Sequence, residues 1–284
     1  MKHTIIIAEA GVNHNGSPEM ARRMIREAAA AGADYVKFQT FRAERLVSAS
    51  AKKADYQRRN CGGDDDSQLA MLKALELSDA DFAMLAAECR DVGIGFMSTP
   101  FDMESIDSLS SIGMDYWKIP SGEITNLPYL RKIASKGGKA ILSTGMSTMA
   151  EAEAAVAVLE QAGIPRGNII VLHCTTQYPA PLTSVNLLAM NTLRALGCAG
   201  VGYSDHTDGI TVAVAAAAMG AVVVEKHFTL DRSLPGPDHK ASLTPLQLKE
   251  MVEAIRAVDA AMGTADKAVT DVERPNIAVA RKSI

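Results

Sequence analysis

Val201-Gly-Tyr-Ser-Asp-His206 and Val222-Val-Val-Glu-Lys-His-Phe228 are two short apolar runs, each with a histidine at or next to its end, and the alanine-rich stretch at 210–219 lies between them. Short runs rich in β-branched residues read as strands, and a ten-residue apolar-periodic connection reads as a helix. Working outward, the same alternation recurs. Strand-like runs fall at 4–9, 35–40, 95–99, 116–120, 140–144, 169–175, 201–206 and 222–228. Helical stretches fall at 18–31, 80–92, 104–112, 127–135, 150–162, 185–196, 210–219 and 245–262. Eight strand–helix repeats predict an α/β protein of the (β/α)8 TIM-barrel class, spanning residues 1–262. Ser17-Pro18 and Thr244-Pro245 place a capping hydroxyl before a proline at a helix start, and Gly32, Gly93, Gly113, Gly163 and Gly220 stand where helices should stop. A doubly wound sheet is the competing class, but the first turn, Gly11-Val-Asn-His-Asn-Gly16, lacks its glycine-rich fingerprint.

Composition fits one such barrel. Apolar residues make up 48% of the 284 and charged residues 22%, the balance of a soluble globular chain with core enough for a single barrel. A net charge of −4 gives no footing for nucleic acid or an anionic membrane. Cys61, Cys89, Cys174 and Cys198 show no metal or disulfide spacing, so reduced thiols in a cytoplasmic protein are expected. No signal peptide or membrane span is legible. The 41–79 connection is much longer than an ordinary βα loop, so it reads as a substrate lid or as a loop whose tip at 61–66 is disordered.

Alternation along each strand gives a ring of inward polar residues at the strand ends: Glu9, Lys37, Gln39, Thr99, Lys118, Ser143, His173, Thr175, Ser204, His206, Glu225 and His227. An apolar core needs no such ring, and lysines and carboxylates are costly to bury unpaired, so the ring marks a site. His206 and His227 end adjacent strands and could share a divalent ion whose other positions go to water and substrate; alternatively one of them binds phosphate or is a hydrogen-bonded strand-end residue. Lys37 and Lys118 could clamp an anion, or one could form a Schiff base. The turns Pro120-Ser-Gly-Glu123 and Ser143-Thr-Gly-Met146 offer backbone N–H groups to the same anion. His14 and His239 lie in loops that could touch substrate, and His3 reads as exposed.

Several stretches taken together resemble the sialic acid synthases. They are Ile7-Ala-Glu-Ala-Gly-Val-Asn-His-Asn-Gly16, Val36-Lys-Phe-Gln-Thr40, Ser98-Thr-Pro-Phe101, Trp117-Lys-Ile-Pro-Ser-Gly-Glu123, Leu142-Ser-Thr-Gly-Met146, His173-Cys-Thr-Thr-Gln-Tyr-Pro179, Tyr203-Ser-Asp-His206, Glu225-Lys-His-Phe-Thr229 and Gly236-Pro-Asp-His239. The resemblance runs in order along nearly the whole chain. It implies a metal-dependent condensation of phosphoenolpyruvate with N-acetylmannosamine, giving N-acetylneuraminate and phosphate. It further implies a divalent ion, manganese with magnesium or cobalt as substitutes, on His206 and His227, and phosphoenolpyruvate on Lys37, Thr99, Lys118, Ser121, Ser143 and Ser204. Gln39, Glu123, Tyr178 and Asp238 are the implied contacts to an N-acetylated amino-sugar, and Glu9 the implied handler of a water proton. Thr176 falls where some relatives have asparagine and is left unassigned. Glu123-Ile-Thr-Asn-Leu-Pro128, His173-Cys-Thr-Thr-Gln-Tyr-Pro-Ala-Pro181 and Val201-Gly-Tyr-Ser-Asp-His-Thr207 are also similar to legionaminic acid synthases, so the alternative acceptor is 2,4-diacetamido-2,4,6-trideoxymannose. From outside this class, the competing readings are a noncatalytic sugar- or anion-binding barrel and a Schiff-base aldolase. By the same resemblance, a homodimer is expected, and 263–284 reads as a linker towards a C-terminal antifreeze-like domain that this chain does not contain. The chain as it stands is therefore expected to bind phosphoenolpyruvate and metal but to turn over poorly.

Overall fold

Each of the eight apolar runs forms a strand in the computed structural model, which describes residues 3–48, 50–53, 58 and 66–282. The strands are β1 (Ile5–Gly11), β2 (Tyr35–Thr40), β3 (Gly95–Pro100), β4 (Tyr116–Ile119), β5 (Lys139–Ser143), β6 (Ile169–Cys174), β7 (Gly200–Asp205) and β8 (Val223–His227). Every ladder is parallel, in the order β3-β2-β1-β8-β7-β6-β5-β4. β3 and β4 pack side by side without a ladder, so the circle is a nearly closed (β/α)8 barrel.

The helices are α1 (Pro18–Ala30), α2 (Ala43–Leu46), α3 (Gln68–Leu75), α4 (Asp79–Val92), α5 (Met103–Ile112), α6 (Leu127–Ser135), α7 (Met149–Gln161), α8 (Ala189–Leu193), α9 (Thr211–Ala218), α10 (Pro245–Ala261) and α11 (Ile277–Ala280). The expected caps form: Ser17 accepts from Met20 N, and Thr244 and Gln247 make a reciprocal capping box. The stretch at 185–196 is less helical than its periodicity predicts. Asn186 takes a positive φ of 48°, which a continuous helix cannot contain, and only α8 with a following 3-10 turn (Arg194–Leu196) remains. Among the described residues no helix is long and apolar enough to cross a membrane. Cys89, Cys174 and Cys198 are free thiols, whereas Cys61 and the rest of 61–65 lie outside the described residues.

Two apolar layers hold the barrel. Ile7, Met97, Ile141, Ile170, Leu172 and Val223 plug its interior, while Ile6, Ala8, Val36, Phe38 and the other outward residues pack under the helices. The plug fixes which residues of these strands face inward and leaves the following inward positions for polar groups. A third cluster, Val12, Phe41, Ala43, Leu72 and Leu75, packs the 41–79 connection against the top of the barrel through α2 and α3. The 263–282 segment is almost wholly exposed.

At the opposite end, α10 is riveted to the first strand. Asp259 accepts from Thr4 N at 2.9 Å and Thr4 Oγ1 at 2.7 Å, while Arg256 donates to Thr4 O at 2.6 Å and to Asp34 Oδ2 at 2.7 Å. These groups are buried or half-buried, so losing an acceptor strands its donors. Asp259→Ala is expected to lower the free energy of unfolding by about 1–3 kcal/mol in urea titration, with the KM for substrate unchanged. An unchanged midpoint would show that the rivet adds nothing to stability.

Candidate functional site

A cavity of about 310 Å³ opens at the C-terminal ends of the strands. Its floor comes from strand-end side chains and one of its walls from the 41–79 connection. Parity explains the floor: with Ile7, Met97, Ile141 and Val223 in the plug, Glu9, Thr99, Ser143 and Glu225 must also face inward. Just past Glu9, the β1–β2 ladder slips at Gly11, whose φ is +53°. A Cβ there would stand 3.2 Å from Gln39 Nε2 and 3.3 Å from Glu9 Oε1, so the bulge lets those two side chains meet.

Four buried charges make the centre. Lys37 Nζ lies 2.9 Å from Glu9 Oε2 and 3.4 Å from Glu225 Oε2, and donates to Thr99 Oγ1 at 3.1 Å. Lys118 Nζ lies 3.6 Å from Glu225 Oε1 and donates to Ser143 Oγ at 2.8 Å. Ser204 Oγ donates to Glu225 Oε1 at 2.8 Å, and Gln39 Nε2 to Glu9 Oε1 at 3.2 Å. Burial raises the cost of each charge, but the neighbours decide the outcome. Against that burial, Lys118, Lys37 and the Ser204 hydroxyl hold the Glu225 carboxyl down at about 2, so it is ionised. Glu9 goes the other way: burial pushes it above the usual range, Lys37 pulls it back, and Glu225 raises it further. Burial also works against the Lys37 charge, but Glu225 and then Glu9 outweigh it and hold Lys37 above its ordinary value. Lys118 is lowered by burial, which Glu225 offsets only in part.

His206 and His227 stand with ring centres 5.6 Å apart, and Tyr178 packs against both, at 4.2 and 5.6 Å. Two rings sharing one ion at about 2.0–2.1 Å per nitrogen have centres within roughly 6.5 Å, so the spacing suits a shared ion. The nitrogens suit it too. His206 Nδ1 donates to Thr175 O at 2.7 Å, which leaves Nε2 as the bare lone pair. Ser204 Oγ is 3.4 Å from that Nε2, but its one proton goes to Glu225. His227 Nδ1 is buried without a partner. Burial lowers both imidazoles, His227 more deeply because His206 and Lys37 add to it, so both are neutral ligands at pH 7. Among the described residues no group of three or more His, Cys, Asp or Glu is placed to hold a metal ion. A divalent ion here would thus rest on the two histidines and take its other ligands from water and substrate.

The remaining residues of interest divide. Ser121, Gln39, Tyr178 and Asp238 line the cavity with the charged set. Burial, and then Glu9, push the Asp238 carboxyl up to about 7. Glu123 does not line it. Glu123 faces an adjoining cleft with Arg45, Asp102 and Asn126, and its Oε2 accepts from Asn126 Nδ2 at 2.6 Å, so this arrangement gives no support to a sugar contact. The 120–123 turn is a single 3-10 turn, and the Gly145 N–H already donates to Ser121 Oγ at 2.9 Å, which makes both turns poorer anion donors than expected. A Cβ on Gly145 would lie 2.4 Å from Thr176 Oγ1 and 2.8 Å from Ser121 Oγ, so close approach, not anion binding, explains this glycine.

On β6 the expected parity is wrong. Ile170 and Leu172 enter the plug, so Cys174 and Thr176 line the cavity. His173 instead packs against Tyr203 and donates to Val185 O, while the Thr175 hydroxyl donates to Ser184 O. His14 and His239 do not line the cavity either. Gly16 N donates to His14 Nδ1, and His239 is bonded to Thr229 Oγ1 and Asn15 Oδ1. His3 is exposed, beside Asp34. The 41–79 connection was legible as special but not in detail: Phe41, Leu46, Met71, Leu72 and Leu75 form an apolar wall of the cavity.

The NeuB family model matches residues 24–267. An N,N'-diacetyllegionaminic acid synthase of Campylobacter jejuni is 52% identical over 284 residues, covering all of this chain and 85% of that protein. One from Legionella pneumophila is 48% identical, over 98% of this chain and 79% of the relative. Among solved structures, an N-acetylneuraminic acid synthetase of Leptospira borgpetersenii in complex with citrate superposes with a TM-score of 0.84 at 33% identity, over 97% of this chain and 90% of that one. A match over most of the length, in sequence and in fold, makes this chain an enzyme of the NeuB family.

Proposed function

We propose that this chain condenses phosphoenolpyruvate with 2,4-diacetamido-2,4,6-trideoxymannose to give an N,N'-diacetyllegionaminic acid and inorganic phosphate. The observation that carries the choice of acceptor is the apolar wall of Val12, Phe41, Leu46, Met71, Leu72 and Leu75 above a charged floor. A 6-deoxy, doubly acetylated sugar presents methyl groups to such a wall, where N-acetylmannosamine would present a hydroxyl. Two legionaminic acid synthases at 52% and 48% identity, against 33% for the sialic acid synthetase structure, support the same acceptor. The reading that favours N-acetylmannosamine thus gives way to its alternative.

In this reading Lys37 and Lys118, with Thr99, Ser143 and Ser204, hold the phosphate and carboxylate of phosphoenolpyruvate, and Ser121 closes the far side. Gln39, Tyr178 and Asp238 orient the open-chain sugar above it. His206 and His227 would hold a divalent ion, which when bound supplies Lewis acidity towards the sugar aldehyde. C3 of phosphoenolpyruvate forms the new bond to the aldehyde carbon, and the cation left at C2 is attacked by water. Glu9, whose carboxyl burial holds above its ordinary value, takes the proton of that water, which balances the proton that the aldehyde oxygen takes up as it becomes a hydroxyl. Cleavage of the bond between C2 and the phosphate oxygen, with the C2 hydroxyl proton passing to the departing phosphate, then leaves the ketone and releases phosphate to the two lysines. Glu225 favours the charged form of both lysines and holds them in place throughout. Residues 1–262 form the catalytic unit in this proposal and 263–284 a linker, as the exposed course of 263–282 supports.

Phosphate release with manganese is expected to be at least about tenfold faster with the diacetamido sugar than with N-acetylmannosamine, and to stop with EDTA. The reverse preference would restore the sialic acid reading. Silence with both sugars, from this chain and from one extended by an antifreeze-like domain, would point to another acceptor or to a binding protein, and borohydride trapping on Lys37 or Lys118 that ignores EDTA would mark an aldolase. Glu225→Gln is expected to lower kcat/KM for phosphoenolpyruvate by about 10²-fold, or about 2.7 kcal/mol, and wild-type kinetics would remove Glu225 from the machinery. Asp238 gives a pH signature. Its folded pKa of about 7 exceeds the ordinary 3.8, so its contribution to stability is whole below about pH 4 and is lost as pH rises through 7. Asp238→Asn should therefore match the parent near pH 4 and exceed it at pH 8 by on the order of 2–4 kcal/mol in urea titration. Equal stabilities at pH 8 would mean that Asp238 ionises freely.

A further inference from the structure

Directly behind the two histidines lies an ion pair that the reaction does not use. Lys226 and Asp205 have side chains with 0% exposure and face outward from β8 and β7, opposite to Glu225 and Ser204. Lys226 Nζ lies 2.8 Å from Asp205 Oδ2 and donates to Thr207 O at 2.6 Å. Asp205 Oδ1 accepts from Thr207 N at 2.9 Å and from Thr207 Oγ1 at 2.8 Å.

Two facts argue against a purely stabilising role. A fully buried ion pair often adds no more stability than apolar side chains of the same volume. The position is also unusual. The β7–β8 ladder has three registered pairs, fewer than any other ladder among the described residues, and Asp205 opposite Lys226 is the last of them. His206 and His227 stand one residue beyond it, where the ladder no longer sets their separation. The four bonds of the pair hold the backbone on both sides of His206 and tie it across the sheet to the residue before His227.

We propose that Asp205 and Lys226 are positioning residues that set the spacing of His206 and His227 for one divalent cation, an inference that rests on the reading of those histidines as the ion's ligands. The ion itself tests it, without turnover. Manganese is titrated into the full chain, and free ion is followed by electron paramagnetic resonance, for the parent, His206→Ala, Lys226→Met and the double variant D205N/K226M. Melting curves and circular dichroism run in parallel. The parent binds manganese and His206→Ala does not. The double variant, with no unpaired charge left behind, stays folded and binds at least about tenfold more weakly. Lys226→Met alone leaves Asp205 buried without its partner and can unfold. Thr207→Val keeps the volume, removes only one hydroxyl bond, and gives a smaller loss in the same direction. A purely structural role would shift the melting temperature while the folded variants bound manganese as the parent does, and that result overturns the proposal with the two-histidine reading intact. Absence of binding by the parent, or unchanged binding by His206→Ala, overturns that reading and the proposal together.

Discussion

The structure turns on four buried charges that can exist only as a set. Lys37, Lys118, Glu9 and Glu225 each have side chains 7% exposed or less, and no one of them could be ionised there alone, since an isolated buried charge costs several kcal/mol or neutralises itself. They come from β1, β2, β4 and β8, so the set forms only when strands far apart in sequence are held at one level. A (β/α)8 barrel does this because its ladders and apolar plug hold the strands in register, and an error of one residue on any of these four strands would turn its charge outward.

The same set explains how an anion can enter. Two lysines face two carboxylates, so much of the floor's positive charge is answered from within the set. Its carboxylates, however, are unequal. Glu225 is held ionised between both lysines, whereas Glu9 is pushed towards the neutral form and touches only one. In the proposed reaction an incoming anion competes with Glu9 for Lys37 more easily than with Glu225, and the displaced carboxylate is then placed to accept a proton. Anion binding and proton handling become two consequences of one asymmetry, created by the second lysine and the Ser204 hydroxyl at Glu225.

Much of this was legible in the residues, and the failures have physical causes. The barrel and the polar ring followed from repetition, and most strand parities from a charged residue beside an apolar one, as with Lys37 between Val36 and Phe38. On β6 the run Ile169-Ile-Val-Leu-His-Cys174 is apolar on both faces, as strands covered on both sides are, so alternation carries no sign there. Only the entry of Ile170 and Leu172 into the plug shows that Cys174, and not His173, faces the cavity. Glu225 was visible but had no role until its two lysines were seen to share it. Lys226, one residue on, drew no reading of its own, because its partner Asp205 is on another strand. The apolar wall was hidden for a related reason: Phe41 and Leu72 are thirty-one positions apart, and nothing local pairs them.

Floor and wall are under different constraints, and that difference is why a family can share chemistry yet differ in substrate. Loss of any one of the four charges leaves another unpaired, so the floor admits few alternatives. The wall is made by α2 and α3 packing apolar side chains on one another, where volume-conserving exchanges commonly cost less than about 1.5 kcal/mol. It can therefore vary while the floor stays fixed, and in the proposed reading each small change alters the complementarity offered to the sugar's far end. By this argument the sugar should follow from the 41–79 connection rather than from the strand-end motifs, which is why those motifs identify the reaction class more firmly than the acceptor.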